Sequence, residues 1–290
     1  MEELKNCPAC GQTEMVSYLV CEDHFLSMEK FNLVQCSNCG LIFTNPRPPS
    51  TEIGRYYKSD DYISHSNTKK GILNRVYHVI RKRNHKSKFR IITKHVSMGR
   101  LLDIGCATGE FASFFKTRGW EVCGVEPDED ARTFAKEAHN INVYPEDELQ
   151  KFEKGSFDVI TLWHVLEHVP DLGKRMVELH ALLNEKGLLV IAVPNPISFD
   201  AKYYGSFWAG YDVPRHLYHF SQKSAKKLFE KYGFRCIDVL PMKFDSYYVS
   251  LLSEKYKNRA IESLKRLKSD GSRTKWQEGE IMTIQASFIC

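Results

Sequence analysis

From Arg100 onward, short apolar runs alternate with segments whose apolar residues recur at helical spacing. Arg100–Ile104, Glu121–Glu126, Phe157–Trp163 and Gly187–Val193 are brief and mostly apolar, the pattern of strands buried on both faces. The segments after Gly109, Asp128, Asp171 and Ser221 carry the helical pattern. This alternation predicts a doubly wound α/β domain with a mostly parallel sheet and helices on both faces. Cys236–Leu240 and Ile281–Ile289 are the last two strand candidates. A long charged insertion at about 245 to 280 separates them, with a helical stretch near Ser250–Leu267.

Upstream the pattern changes. Asn45-Pro46-Arg47-Pro48-Pro49-Ser50 cannot continue a helix or an inner strand, so a boundary is expected there. Three parts follow: a small module at 1–48, a connecting basic segment at 49–97, and an α/β domain at 98–290. In the connecting segment Ile72, Leu73, Val76, Val79 and Ile80 recur at helical spacing, which predicts an amphipathic helix against the larger domain.

Composition changes the picture little. With 42% hydrophobic and 27% charged residues, the chain is an ordinary globular protein that buries a core. Its longest apolar run, near Leu188–Pro194, falls far short of the roughly 20 residues that cross a bilayer, and a cytoplasmic location is the expectation. The net charge of +5 is mild but uneven, because no Asp or Glu occurs between Tyr62 and Leu102. The basic residues from Lys69 to Lys94 read either as a solvated helix face or as a patch for RNA, anionic lipid or a phosphorylated substrate.

Cys7-Pro8-Ala9-Cys10-Gly11 and Cys36-Ser37-Asn38-Cys39-Gly40 are near-identical knuckles. Four thiolates from such pairs close a tetrahedral Zn²⁺ site with no open position, so Cys7, Cys10, Cys36 and Cys39 are read as ligands of a structural zinc ribbon. In so short a module the metal substitutes for a core.

The main chemical signal is Leu101-Leu102-Asp103-Ile104-Gly105-Cys106-Ala107-Thr108-Gly109-Glu110-Phe111, an apolar strand entering a glycine turn and then a helix. Backbone there can approach a ligand closely, at the strand end where open α/β sheets bind. The Gly-x-Gly-x-x-Gly spacing of dinucleotide sites is absent, and Asp103 would repel a phosphate, so a cationic sulfonium cofactor fits better. Glu126 ends the second strand about 20 residues further on, where a carboxylate can accept from both hydroxyls of a ribose.

On these residues, the stretch from Leu101 to about Leu240 resembles the class I S-adenosylmethionine-dependent methyltransferases. The resemblance implies a Rossmann-like, seven-stranded sheet with the last strand antiparallel, and a cofactor held by Asp103, Gly105, Gly109 and Glu126. It implies that Asp147 or its neighbour Glu146 faces the adenine, and that Trp163 joins the cofactor site. His164-Val165-Leu166-Glu167-His168-Val169 resembles the quinone-biosynthesis O-methyltransferase group. The Asn/Asp-Pro-Pro-Tyr run of exocyclic-amine methyltransferases does not follow the fourth strand, which favours an oxygen or carbon acceptor.

His168 and His216 are the candidate proton acceptors, since imidazole titrates near neutrality. A divalent cation on His164, Glu167 and His168 is the alternative. The run Phe207–Ser221 resembles that of zinc-ribbon methyltransferases, and Trp208, Tyr211, Arg215 and His219 within it are read as the acceptor wall. The expected activity is methyl transfer from S-adenosylmethionine to a small molecule. The alternatives are an RNA methyltransferase gripping phosphates with the ribbon and basic segment, and a zinc-ribbon binding protein with an inactive methyltransferase domain.

Overall fold

A computed structural model describes residues 1–57, 72–267 and 287–289. Lys69, Lys70 and the first residues of the Ile281–Ile289 run lie outside the described residues.

The central sheet is parallel. Its strands are β4 (Arg100–Ile104), β5 (Glu121–Val125), β6 (Asn142–Tyr144), β7 (Phe157–Trp163) and β8 (Leu183–Ala192), in the order β6-β5-β4-β7-β8. Alternate residues feed opposite faces, as the pleat requires. Leu102, Ile104, Ile160, Leu162, Leu189 and Ile191 join one buried cluster, while Leu101, Val159, Leu188 and Val190 join another. Helices cover both. α1 (Ile72–Thr93) and α2 (Glu110–Lys116) supply Ile92, Phe111 and Phe115 to the second cluster. α4 (Leu172–Leu182) and α6 (Gln222–Lys231) supply Leu172, Met176, Leu179, Leu228 and Phe229 to the first. α3 (Glu129–His139) lies along the β5–β6 edge. Three of these helices start on a side-chain cap: Asp128, Asp171 and Ser221 each accept from a backbone amide three residues on.

The Rossmann-like architecture is as the sequence implies, with five strands in the ladder among the described residues. Five pair in parallel; β10 (Asp238–Leu240) and β11 (Ser287–Ile289) form a separate antiparallel pair, with β11 running beside β8. Between them, α7 (Lys243–Leu267) begins seven residues before the expected helical stretch. α5 (Phe199–Tyr204) packs on it.

The N-terminal strands β1 (Met15–Glu22), β2 (Lys30–Cys36) and β3 (Ile42–Thr44) form an antiparallel sheet completed by β9 (Tyr218–His219) from the larger domain. Phe43 pairs with Tyr218 and Ile42 with His219. Cys7, Cys36, Cys39, Leu41 and Phe43 belong to the same buried cluster as Leu102 and Leu228, so the cysteine module and the central sheet share a core. Lys227 and Lys231 of α6 donate to the carbonyls of Asn38 and Ala9, next to the two knuckles.

The seam is also ionic. Arg215, 2% exposed, forks onto Asp23 of the N-terminal module at 2.8 Å and onto Asp212 at 2.6 Å, and donates to the Tyr56 carbonyl. Burial works against the Asp23 carboxylate, but the Arg215 guanidinium and the Ser27 donors hold it below its ordinary range. Asp23→Ala removes two charge-assisted contacts but leaves Arg215 on Asp212, and is expected to lower unfolding free energy in urea by about 1.5–3 kcal/mol; a change within error would show that the seam does not depend on this pair.

Candidate active site

The carboxyl ends of β4, β5 and β7 lie side by side, with Ile104 level with Val125 and Leu162. Gly105 and Gly109 open the turn after β4 with φ of 70° and 74°, conformations that side chains resist. A Cβ at Gly105 would run into Val165, and one at Gly109 would lie 2.9 Å from Ala135 Cβ. The turn is thus closed against its neighbours with bare backbone. Glu126 follows β5 and accepts from the amides of Ala107 at 3.0 Å and Asp128 at 3.1 Å, which fixes its carboxylate across the mouth of the turn. Burial pushes its pKa up, with those two amides acting in opposition.

Asp103 sits deeper. It is 2% exposed and accepts from the Thr161 hydroxyl at 2.6 Å. Burial pushes its carboxyl up to about 7, against the Thr161 bond and the nearby Lys88 ammonium. Its place is behind the turn, tying β4 to β7. Of the two acids after β6, Glu146 is bound to Arg175, which leaves Asp147, exposed on the 3₁₀ turn Glu146–Lys151, as the one presented at this edge.

Trp163 ends β7 with its ring edge-on to Phe111. Lys88, from the basic helix α1, places its ammonium 3.9 Å from the Trp163 ring centroid. This cation turns inward, where burial lowers its pKa against the fields of Asp245 and Asp103; Arg83, Lys86, Arg90 and Lys94 remain exposed. His164 follows in the left-handed region at φ 59°, turning the chain abruptly off the strand. Its Nε2 lies 3.1 Å from Asp245 of α7 and its Nδ1 3.6 Å from Glu167. Burial opposes charge on this ring, but the two carboxylates prevail and raise it to about 9, so it is an imidazolium at neutral pH. Asn84 of α1 donates to the other oxygen of Asp245. Lys88, Asn84 and Asp245 were invisible to sequence reasoning: the first two looked like part of a solvated face, and Asp245 lay at the edge of an insertion without a motif.

Beyond His164, the short turn Leu166–His168 carries Glu167 and His168 under the loop 212–219. The Glu167 carbonyl accepts from the Leu217 amide at 2.8 Å and holds that loop down. His168 Nδ1 lies 3.0 Å from the Arg215 carbonyl oxygen, which can only accept, so the proton is on Nδ1; the Tyr57 hydroxyl oxygen shares it at 3.0 Å. His216 Nδ1 likewise donates to the Gly210 carbonyl at 2.9 Å. The two rings meet edge to face with centroids 4.6 Å apart. His168 and His216 are thus brought together, as candidate catalytic residues would need to be. Burial, followed by His216, pushes His168 down to about 4.

The four expected acceptor-wall residues, Trp208, Tyr211, Arg215 and His219, are all buried in the seam with the N-terminal sheet. Trp208 stacks edge-on against Tyr211, Tyr211 against His219, and the Tyr211 hydroxyl donates to that of Tyr18 on β1. Trp208, Tyr211 and Arg215 also line a small cavity with Asp23 and Tyr256, and His219 is held by the pairing of β9 with β3.

A parallel sheet with a glycine turn after its first strand and an acid after its second defines an adenosine-cofactor α/β enzyme. The chain belongs to the methyltransferase-domain family, whose model matches residues 77–239. Among its relatives is a ubiquinone biosynthesis O-methyltransferase of Rhodopseudomonas palustris, 30% identical over 101 residues, which make up 33% of this chain and 40% of that protein. The enzyme of the same name from Acinetobacter baylyi is 32% identical over 80 residues, 25% of this chain and 34% of that one. The chain therefore spans less than half the length of these relatives. Among solved structures it is similar to a magnesium protoporphyrin IX methyltransferase from Synechocystis with bound SAH, with a TM-score of 0.52 and 15% identity, covering 67% of this chain and 93% of that one.

Two outcomes test the cradle. Glu126→Gln is expected to weaken binding of S-adenosylhomocysteine by about tenfold to a hundredfold in calorimetry, the worth of one or two bonds to a charged acceptor. The second concerns pH. Asp103 is protonated in the ligand-free protein below about 7. Because its folded pKa is raised, ionising it costs stability as pH climbs from the ordinary carboxylate range through 7, and a bound cation offsets that cost. Affinity for S-adenosylmethionine should therefore rise with pH up to about 7 and level off above it, with the slope absent in Asp103→Asn. A flat profile in the parent protein would remove Asp103 from the binding equilibrium.

Proposed function

We propose that this methyltransferase transfers the methyl group of S-adenosylmethionine to an oxygen, or an activated carbon, of a small-molecule acceptor. The observation that carries the reading is the meeting of two different ends at one strand edge. Glu126 and the backbone of Gly105–Gly109 form a cradle on one side, and the Glu167–His168–His216 cluster stands beyond β7 on the other. The relatives named for O-methylation support the acceptor side; the tail His164–Val169 lies in the stretch that resembles them.

When bound, the cofactor supplies an electrophilic methyl on a good leaving group, so the protein's task is alignment and exclusion of water. Glu126 would hold the ribose hydroxyls, Gly105 and Gly109 would let backbone close on the methionine portion, and Asp147 would face the adenine. Asp103 would act at one remove, through the position of the β4 end and through its field. Trp163 and Lys88 would close the site from the side of α1. His168 and His216 both give Nδ1–H to backbone carbonyls, so Nε2 is the nitrogen each would offer on the acceptor side, that of His216 standing 3.9 Å from Asp212. Burial keeps His168 neutral but makes it a weak base on its own.

We read Cys7, Cys10, Cys36 and Cys39 as the ligands of a structural Zn²⁺. Their sulfurs pair at 3.5 Å (Cys7 with Cys39, Cys10 with Cys36), and all four lie within 4.8 Å of one another. Sulfurs about 2.3 Å from a tetrahedral zinc lie at nearly this spacing. Because the knuckles belong to the main core, the metal would stabilise the enzyme as a whole. Purified protein should contain one zinc, and Cys36→Ser should lose it together with much of the thermal stability; full stability without metal would make the ribbon reading wrong.

The activity test uses cofactor carrying a labelled methyl, offered to hydroxylated small molecules, chiefly phenols, and separately to RNA. Label is expected on an oxygen of a small acceptor. Label appearing on RNA alone would transfer the function to the exposed cations of α1, and failure to bind S-adenosylhomocysteine at all would leave a binding protein.

A further inference from the structure

Glu167 stands out among the described residues. It is fully buried, and neither carboxylate oxygen receives a hydrogen bond from any described residue. Its nearest donor, His164 Nδ1, stands 3.6 Å away. A buried carboxylate without donors is costly, and folded proteins keep one only where something else satisfies it.

Two imidazoles stand beside it. His168 and His216 each give Nδ1–H to a backbone carbonyl, Arg215 O and Gly210 O, which leaves Nε2 as the nitrogen each ring can offer a ligand, that of His216 standing 3.9 Å from an Asp212 oxygen. One ligand atom from each of Glu167, His168 and His216 lies within 4.8 Å of the others. A histidine that gives Nδ1–H to a carbonyl while offering Nε2 is the usual outer-shell arrangement of a metal ligand. His164 is held aside by Asp245 on its Nε2, with its Nδ1 3.6 Å from Glu167 and outside hydrogen-bonding distance.

We propose that Glu167, His168 and His216 form a second metal site, distinct from the cysteine cluster, that binds a divalent first-row transition metal through one carboxylate oxygen and two imidazole nitrogens. Nitrogen and oxygen donors suit Fe²⁺, Mn²⁺, Co²⁺ or Zn²⁺ rather than the soft ions that thiolates select. Small ring rotations close the donors onto one ion at about 2.0–2.2 Å. The ion satisfies Glu167 and joins three pieces of chain: the turn after β7, the loop ahead of β9, and, through the hydrogen bond of Tyr57 to His168, the start of the connecting segment. Three protein ligands leave open positions for water or an acceptor oxygen; only that last role rests on the methyltransferase reading.

The test uses the full chain with its cysteine cluster already filled by zinc, titrated with Co²⁺. One equivalent is expected to bind and give visible ligand-field absorption without the thiolate-to-cobalt charge-transfer band that the cysteine cluster would produce. Glu167→Gln and His216→Gln should each lower Co²⁺ affinity by at least about a hundredfold, which removing one of three ligands implies. S-adenosylhomocysteine binding, followed in parallel, reports whether each variant retains its fold and keeps a failure of the metal site separate from a failure of the cofactor reading. Absence of the ligand-field band in the parent protein at saturating Co²⁺ overturns the proposal whatever the variants do. So does a band that persists unchanged in a His216→Gln protein that still binds S-adenosylhomocysteine, or a signal dominated by thiolate charge transfer.

Discussion

Parallel pairing delivers β4, β5 and β7 to one edge with their carboxyl ends level, and the chemistry of this protein is confined to that edge. The constraint is severe because each strand is buried on both faces and must be mostly apolar along its length. Polar function can therefore appear only at the last strand position or just beyond it. Glu126 and His164 occupy those positions beyond β5 and β7, while Asp103, one residue short of the end of β4, is the polar exception, buried and bonded to Thr161 of β7.

The same confinement explains what the N-terminal module does for the fold. Its sheet does not stand apart; it borrows β9 from the larger domain, and its knuckle cysteines are buried with residues of the central sheet and α6. The loop between α5 and β9 is thereby clamped at both ends, by Arg215 on Asp23 and by the strand pairing of Phe43 with Tyr218. Clamping that loop positions His216 against His168. The cysteine module thus bears on the active site through packing and a buried ion pair, without contributing a ligand to it.

Much of this was legible in the sequence because it is local. Strands of the parallel sheet announce themselves as short apolar runs, and the helices that follow start on Asp or Ser caps, so their positions were read within a few residues. Glycines that need positive φ, and an acid a fixed distance further on, leave a pattern that survives without tertiary information. What was not legible depends on partners distant in sequence. That Trp208, Tyr211, Arg215 and His219 are buried against the N-terminal sheet is seen only once β9 pairs with β3, about 175 residues earlier. Lys88 looks like one more cation of a solvated helix until α1 packs against Trp163. The last two strands were found, but their separation from the parallel ladder was not, since composition does not encode which neighbour a strand pairs with.

His164 and Glu167 show how far a motif carries and where geometry must take over. Spaced three apart in one motif, they suggest that the two act together with His168. The left-handed turn at His164 sets its ring between Asp245 on α7 and Glu167, while Glu167 also meets His168 and His216 on its other side. One half of the motif fastens a helix from the insertion over the strand ends, and the other half builds a buried polar cluster beneath the clamped loop. The insertion is therefore part of the site: Asp245 sets the charge of His164 and draws Asn84 and Lys88 of α1 toward the same edge. An enzyme that must exclude water from a methyl transfer gains from such a closure, because helices from both ends of the catalytic domain then depend on the same few charges to stay shut.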